Sequence, residues 1–193
     1  PSHHMAYLYN FVNKPYKTQE KTRQILTELY TNSPDGISGN EDCGQMSAWY
    51  IFSSLGFYPV TPGSNQYIIG SPLFDKATIH LEDGNSFTVE AKNNSLENKY
   101  IKNVQLNNKA YPYSYLKHSD IVNGGNLVFE MTDRPTNWGT SDDFIPSTEI
   151  KYHKIIPAPF IKKGDIVFKG STQVELASAD KDADVFFRLG FTR

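Results

Sequence analysis

The chain has 193 residues, enough for one or two compact domains with a real core, and a formal net charge of −2. That balance offers no electrostatic case for binding nucleic acid or an anionic membrane. No apolar run reaches the ~18 residues that a membrane-spanning helix needs.

Residues 1 to about 60 read as helical. His4 to Val12 sets Met5, Leu8 and Phe11 at helical spacing, and Asn13-Lys14-Pro15 interrupts the pattern. Thr18 is placed to cap a second helix running to about Tyr30, with Ile25, Leu26 and Leu29 on one face. The cluster Thr31-Asn32-Ser33-Pro34-Asp35-Gly36 is a turn. A third helix spans Met46 to Leu55 and stops at Gly56. Apolar residues around most of its circumference predict a buried helix, with Trp49 and Tyr50 in the core.

After Tyr58-Pro59-Val60 the apolar period becomes two. Ala77–Leu81 and Phe87–Ala91 flank Asp83-Gly84, a hairpin signal, and Tyr100–Leu106 and Asn126–Met131 are further strands. Short strands at this spacing predict a β-sandwich. Aromatics make up 13% of the chain, which such strands explain at least as readily as sugar stacking. Thr132–Thr148 is polar, contains Pro135, Gly139 and Pro146, and reads as a linker. Lys154–Phe160, Ile166–Phe168, Val174–Leu176 and Val185–Leu189 read as strands of a small β module. The expected divisions are residues 1–62, 63–147 and 148–193. Pro1 is not a natural start, so the chain reads as a piece of a longer protein, and no signal peptide is visible in it. Asn93-Asn94-Ser95 fits a glycosylation pattern, but reads first as an exposed turn between strands.

The chemistry concentrates in Gly36-Ile37-Ser38-Gly39-Asn40-Glu41-Asp42-Cys43-Gly44-Gln45. Glycines bracket two adjacent carboxylates just before a helix, a good mount for a catalytic group. The same spacing lets Asp42 serve as a helix cap or first-turn acid, so chain physics leaves both readings open. The loop lacks the alternating oxygen ligands of an EF-hand. Cys43 is the only cysteine, so an internal disulfide is excluded.

Gly39-Asn40-Glu41-Asp42-Cys43-Gly44-Gln45-Met46-Ser47-Ala48-Trp49-Tyr50-Ile51-Phe52 followed by Leu55-Gly56-Phe57-Tyr58-Pro59-Val60 resembles the signature of glycoside hydrolase family 92, exo-acting bacterial α-mannosidases. The likeness continues through Tyr67–Asp75 and Asn93–Ile101, and includes Pro1-Ser2-His3-His4 with Ala6–Tyr9. It covers roughly residues 1 to 147. The resemblance implies an α+β chain: the terminal helices of an (α/α)6 barrel, antiparallel β-sandwich strands, then a small C-terminal β module.

It also implies an inverting, Ca²⁺-dependent enzyme that removes terminal α-linked mannose, α1,2-linked first, from N-glycan-type substrates. In such a mechanism one carboxylic acid protonates the leaving oxygen while a carboxylate ~6.5–9.5 Å away activates water. By resemblance the base is Asp42. Asn40 occupies a position where the family often has a second Asp, and its amide can only orient water or sugar. Glu41 either raises the Asp42 pKa or is simply solvated. Asn40, Glu41, Gln45, His3 and His4 are candidate substrate contacts, with a surface role equally open for each histidine. The general acid and the calcium ligands match no position here, so the chain alone is expected to be inactive. Export to a bacterial periplasm or cell surface is also implied; oligomeric state is unreadable. A non-catalytic carbohydrate-binding β-sandwich is the main alternative, and a structural interaction module, chiefly residues 150–193, is a lesser one.

Overall fold

The computed structural model describes residues 2–148 and 156–188. The chain divides into two compact units, Pro1–Thr148 and Glu149–Arg193.

The first unit opens with a 3-10 helix, Met5–Val12, closed by Asn13 in the left-handed region (φ 59°). Its period is tighter than the α-helix that the apolar spacing suggests. The expected interruption at residues 13–15 holds, and helix α1 then runs Pro15–Glu28, starting at Pro15 and not at Thr18. The first helical position suits proline, because its missing N–H would find no intrahelical partner there. Thr18 lies inside α1, fully buried, and caps nothing. Helix α2, Gln45–Leu55, ends on Gly56 at φ 98°, a conformation that favours glycine; a Cβ there would also press on Pro72. Helix α2 is not buried all round: Trp49, Ser53 and Ser54 face inward while Ile51 is 58% exposed.

Strands β1 (Phe57–Tyr58), β2 (Gln66–Ile69) and β7 (Tyr115–Lys117) form one antiparallel sheet in the order β1-β2-β7. Strands β3 (Lys76–His80), β4 (Ser86–Lys92), β5 (Tyr100–Leu106), β6 (Lys109–Ala110) and β8 (Gly125–Thr132) form a second, in the order β3-β4-β8-β5-β6. Gly84, at φ 89°, turns the expected β3–β4 hairpin. The second sheet is mixed and not purely antiparallel: β4 and β8 run parallel. Parallel neighbours need a long crossover, and β5, β6, β7 and the short helix α3 (His118–Val122) supply it.

Burial follows the pleat. In β4, Phe87, Val89 and Ala91 are buried; in β8, Leu127, Phe129 and Met131 are. These pack with Phe57, Ile69, Ile101, Val104 and Leu116 in one core cluster. A second cluster joins the helices to the small sheet through Tyr7, Leu26, Trp49, Tyr58 and Ile68.

Residues 132–148 do not form a free linker. Thr136 Oγ1 donates to the Ile101 carbonyl at 2.6 Å, Trp138 Nε1 donates to the Tyr111 carbonyl at 3.0 Å, and Pro146 is buried. Their polar composition hid these anchors; Thr136 and Trp138 each satisfy a backbone carbonyl of the sheet region.

In the second unit, strands β9 (Phe160–Lys163) and β10 (Glu175–Ala177) form an antiparallel pair, with Lys162 and Glu175 bridged at 2.6 Å. The expected strand Ile166–Phe168 does not form, and Ile166 is 99% exposed. No strand forms over Val185–Arg188 either; without burial, apolar residues alone do not hold extended backbone. Lys154, Ile155 and Leu189, at the edges of two expected strands, lie outside the described residues.

Candidate active site

The Gly-framed loop delivers its carboxylates to the N-terminus of α2 by an unusual backbone path. Asp42 (φ 55°), Cys43 (φ 58°) and Gly44 (φ 88°) are three consecutive left-handed residues. For non-glycine residues this conformation costs about 1–2 kcal/mol each. Such strain persists only where surrounding contacts hold it, and it gathers at functional sites.

The Asp42 side chain does not cap the helix. Gly44 is the N-cap and has no side chain to cap with. The carboxylate that reaches the helix belongs to Glu41. Its Oε1 accepts the Ser47 backbone N–H at 3.0 Å, and its Oε2 accepts from Ser47 Oγ at 3.0 Å. The Glu41 carbonyl accepts the Met46 N–H at 3.1 Å. Asp42 gives the helix only its backbone, its carbonyl accepting the Gln45 N–H at 3.2 Å. The Asp42 side chain is therefore exposed and unspent: among the described residues, no donor hydrogen-bonds its carboxylate. Glu41 is not simply solvated, as one sequence reading had it. It is half-buried and committed to the helix.

A cleft of about 380 Å³ opens beside the helix, lined by His3, His4, Gln45, Tyr58, Pro59, Val60 and Pro62. Its size is within the range of small-ligand sites. Three of the sequence candidates, His3, His4 and Gln45, thus line the cleft, while Asn40, Glu41 and Asp42 are not among its lining residues. Asn40 is exposed on the same loop as Asp42.

His3 is held from two sides. Its carbonyl accepts Trp49 Nε1–H at 2.9 Å, and its Nε2 lies 3.0 Å from Met46 Sδ. Burial lowers its pKa, while the Asp42 carboxylate pulls it upward. The ring is thus within electrostatic reach of Asp42. His4 is exposed.

Gln45 Nε2 donates to the Tyr58 hydroxyl at 2.5 Å. Tyr58 is 7% exposed and stacks on Tyr7 at 5.5 Å, and Tyr7 in turn shares a 2.7 Å hydrogen bond with Ser53 on α2. Burial raises the Tyr58 pKa, so its phenol stays neutral. Sequence reading missed Tyr58 as a cleft residue. It stands at the change from helical to strand period, where Tyr-Pro reads as punctuation and carries no sign of a pocket.

Residues 1–133 match the model of the glycosyl hydrolase family 92 catalytic domain. The chain belongs to glycoside hydrolase family 92. A family 92 α-mannosidase of Bacteroides thetaiotaomicron, solved in complex with mannoimidazole, is 45% identical, with a TM-score of 0.73 over 76% of this chain and 19% of its own. The family 92 inverting mannosidase from strain VPI-5482 of the same species is 42% identical, with a TM-score of 0.72 over 76% of this chain and 20% of its own. An uncharacterized secreted glycosidase of Arthroderma benhamiae is 30% identical over 149 residues, which are 76% of this chain and 19% of that protein. The chain therefore spans about a fifth of the length of these relatives. Its mixed helix-and-sheet architecture is shared with the structures it matches.

No helix among the described residues is long and apolar enough to cross a membrane. Among the described residues, no group of three or more His, Cys, Asp or Glu side chains is placed to hold a metal ion.

Proposed function

We propose that this chain is part of an exo-acting, inverting α-mannosidase in which Asp42 is the general base. The single observation that carries the assignment is the division of labour at the helix cap: Glu41 satisfies the α2 N-terminus, leaving the neighbouring Asp42 carboxylate exposed on a strained, Gly-framed loop. Family membership, and the mannosidases to which the chain is 42–45% identical, support mannose-containing glycans as substrate.

In this reading Asp42 accepts a proton from a water molecule as that water attacks the anomeric carbon. The new C1–O bond forms on the face opposite the leaving oxygen, the glycosidic C–O bond breaks, and a separate acid protonates the departing oxygen. The acid is assigned to no residue of this chain. The His3 ring, His4, and the Gln45–Tyr58 pair offer hydrogen-bond partners to sugar hydroxyls or the water. Asn40, an amide, orients and does not accept a proton. Residues 1–62 belong to the closing helices of an (α/α)6 barrel, residues 63–147 to a β-sandwich, and residues 148–193 to an accessory module. Linkage α1,2, N-glycan-type substrates and export to the bacterial periplasm or surface complete the reading; a secreted glycosidase among the relatives supports export.

Calcium dependence belongs to the same proposal through family resemblance alone. The described residues do not assemble a set of carboxylate or imidazole ligands for it. Full-length protein should release mannose from α-linked mannobioses, lose that activity in EDTA and regain it with added Ca²⁺. Activity indifferent to EDTA would remove the calcium requirement, and no release from any linkage would remove the mannosidase reading.

A further inference from the structure

We infer that Glu41 and Ser47 form a positioning clasp for Asp42, and that Glu41 acts through this clasp and not by touching substrate. The inference rests on the reading of Asp42 as the base. Three left-handed residues in a row, Asp42, Cys43 and Gly44, join the clasp to the first turn of α2. Nothing in their own side chains caps the helix. The arc is closed from outside: Glu41 grips Ser47 through both carboxylate oxygens, while its carbonyl receives Met46 N–H. Residues 41 and 47 thus pin the two ends of the segment that contains Asp42. Releasing one end lets the backbone at Asp42 leave the costly left-handed region, and the carboxylate moves with it. The exposure of Asp42 makes this matter, because among the described residues no donor fixes its carboxylate directly.

The clasp depends on hydrogen bonds, not on charge. A glutamine at position 41 retains an acceptor for the Ser47 N–H and gains an N–H donor for Ser47 Oγ, which can accept. An alanine retains neither. This separates a positioning role from both a charge effect on Asp42 and a direct sugar contact.

The test uses the full-length protein and compares Glu41→Ala, Glu41→Gln, Ser47→Ala and Asp42→Asn by kcat and KM on an α-mannobiose. Glu41→Ala is expected to lower kcat by about 10²-fold, the scale of an ångström-sized misplacement, with KM little changed. Glu41→Gln is expected to recover most of that loss. Ser47→Ala, which keeps its N–H, should fall between Glu41→Ala and wild type, and should not add to Glu41→Ala in the double variant. Ser47→Ala and Glu41→Gln decide the matter if Glu41→Ala fails to fold. The clasp is overturned if Glu41→Gln is as damaged as Glu41→Ala, if the loss appears in KM alone, or if Glu41 variants keep wild-type kcat while Asp42→Asn is inactive. Wild-type kcat in Asp42→Asn overturns the base assignment and the clasp together, so the two failures are told apart.

Discussion

Asp42→Asn in the full-length enzyme is expected to lower kcat by about 10²–10⁴-fold, the usual contribution of a positioned general base, while KM moves little. The substitution is nearly isosteric. The loop's backbone bonds, Asp42 carbonyl to Gln45 N–H and Glu41 carbonyl to Met46 N–H, do not involve the Asp42 side chain. Nor does the Glu41–Ser47 clasp. The folded loop should therefore survive, leaving only the loss of a proton acceptor. Steady-state kinetics beside a thermal-unfolding comparison checks this. Equal unfolding with collapsed kcat is the expected pair; retained kcat is the contrary one.

Arg23→Met is expected to destabilise the Pro1–Thr148 unit by about 3–5 kcal/mol, because it strands several buried acceptors at once. Arg23 is 3% exposed on α1 and has no carboxylate in its hydrogen-bond shell. Its Nη1 donates to the Ser95 carbonyl at 2.9 Å; its Nη2 donates to the Pro72 carbonyl, to Asn94 Oδ1 at 2.6 Å and to Ser71 Oγ at 3.3 Å. Burial lowers its pKa to about 10, with Asp75 opposing, so it remains a cation at neutral pH. One guanidinium thus ties α1 to the chain on both sides of β3 and β4. Arg23→Lys should recover only part of the loss, since an ammonium cannot span the same fork of acceptors. Native-state hydrogen exchange in α1 and in residues 71–98 reads the effect. Unchanged protection in Arg23→Met would contradict it.

Much of the α2 region was legible in sequence because its signals are local. Gly56 marks the helix end by its left-handed φ, and Asp83-Gly84 marks a hairpin by the same chemistry. Trp49 was readable as core from the apolar helix around it, and it is 2% exposed. What escaped depends on distant partners. The break at residues 13–15 is legible, but α1 starts at Pro15 and not at Thr18, because proline suits the first helical position and Thr18 is buried inside the helix. The parallel pairing of β4 with β8 follows from connectivity, which no alternation of side chains encodes. The anchors of Thr136 and Trp138 look like linker polarity until the carbonyls of Ile101 and Tyr111 come beside them.

The site shows the same limit. Two adjacent carboxylates before a helix were visible, but not which of them spends itself on the helix. Only the backbone path, left-handed at Asp42 and Cys43, turns Glu41 toward Ser47 and leaves Asp42 exposed. Tyr58 entered the cleft through its hydrogen bond with Gln45 and its stack on Tyr7, both tertiary contacts.

The most direct test of the account is the anomer of free mannose first released from a methyl α-mannobioside by the full-length enzyme, followed by proton NMR before mutarotation, in wild type and Asp42→Ala. Water activated by Asp42 attacks the face opposite the leaving oxygen, so wild type should release β-mannose first and Asp42→Ala should release almost none. α-Mannose as the first product, or undiminished release by Asp42→Ala, would contradict Asp42 as the base of an inverting mannosidase.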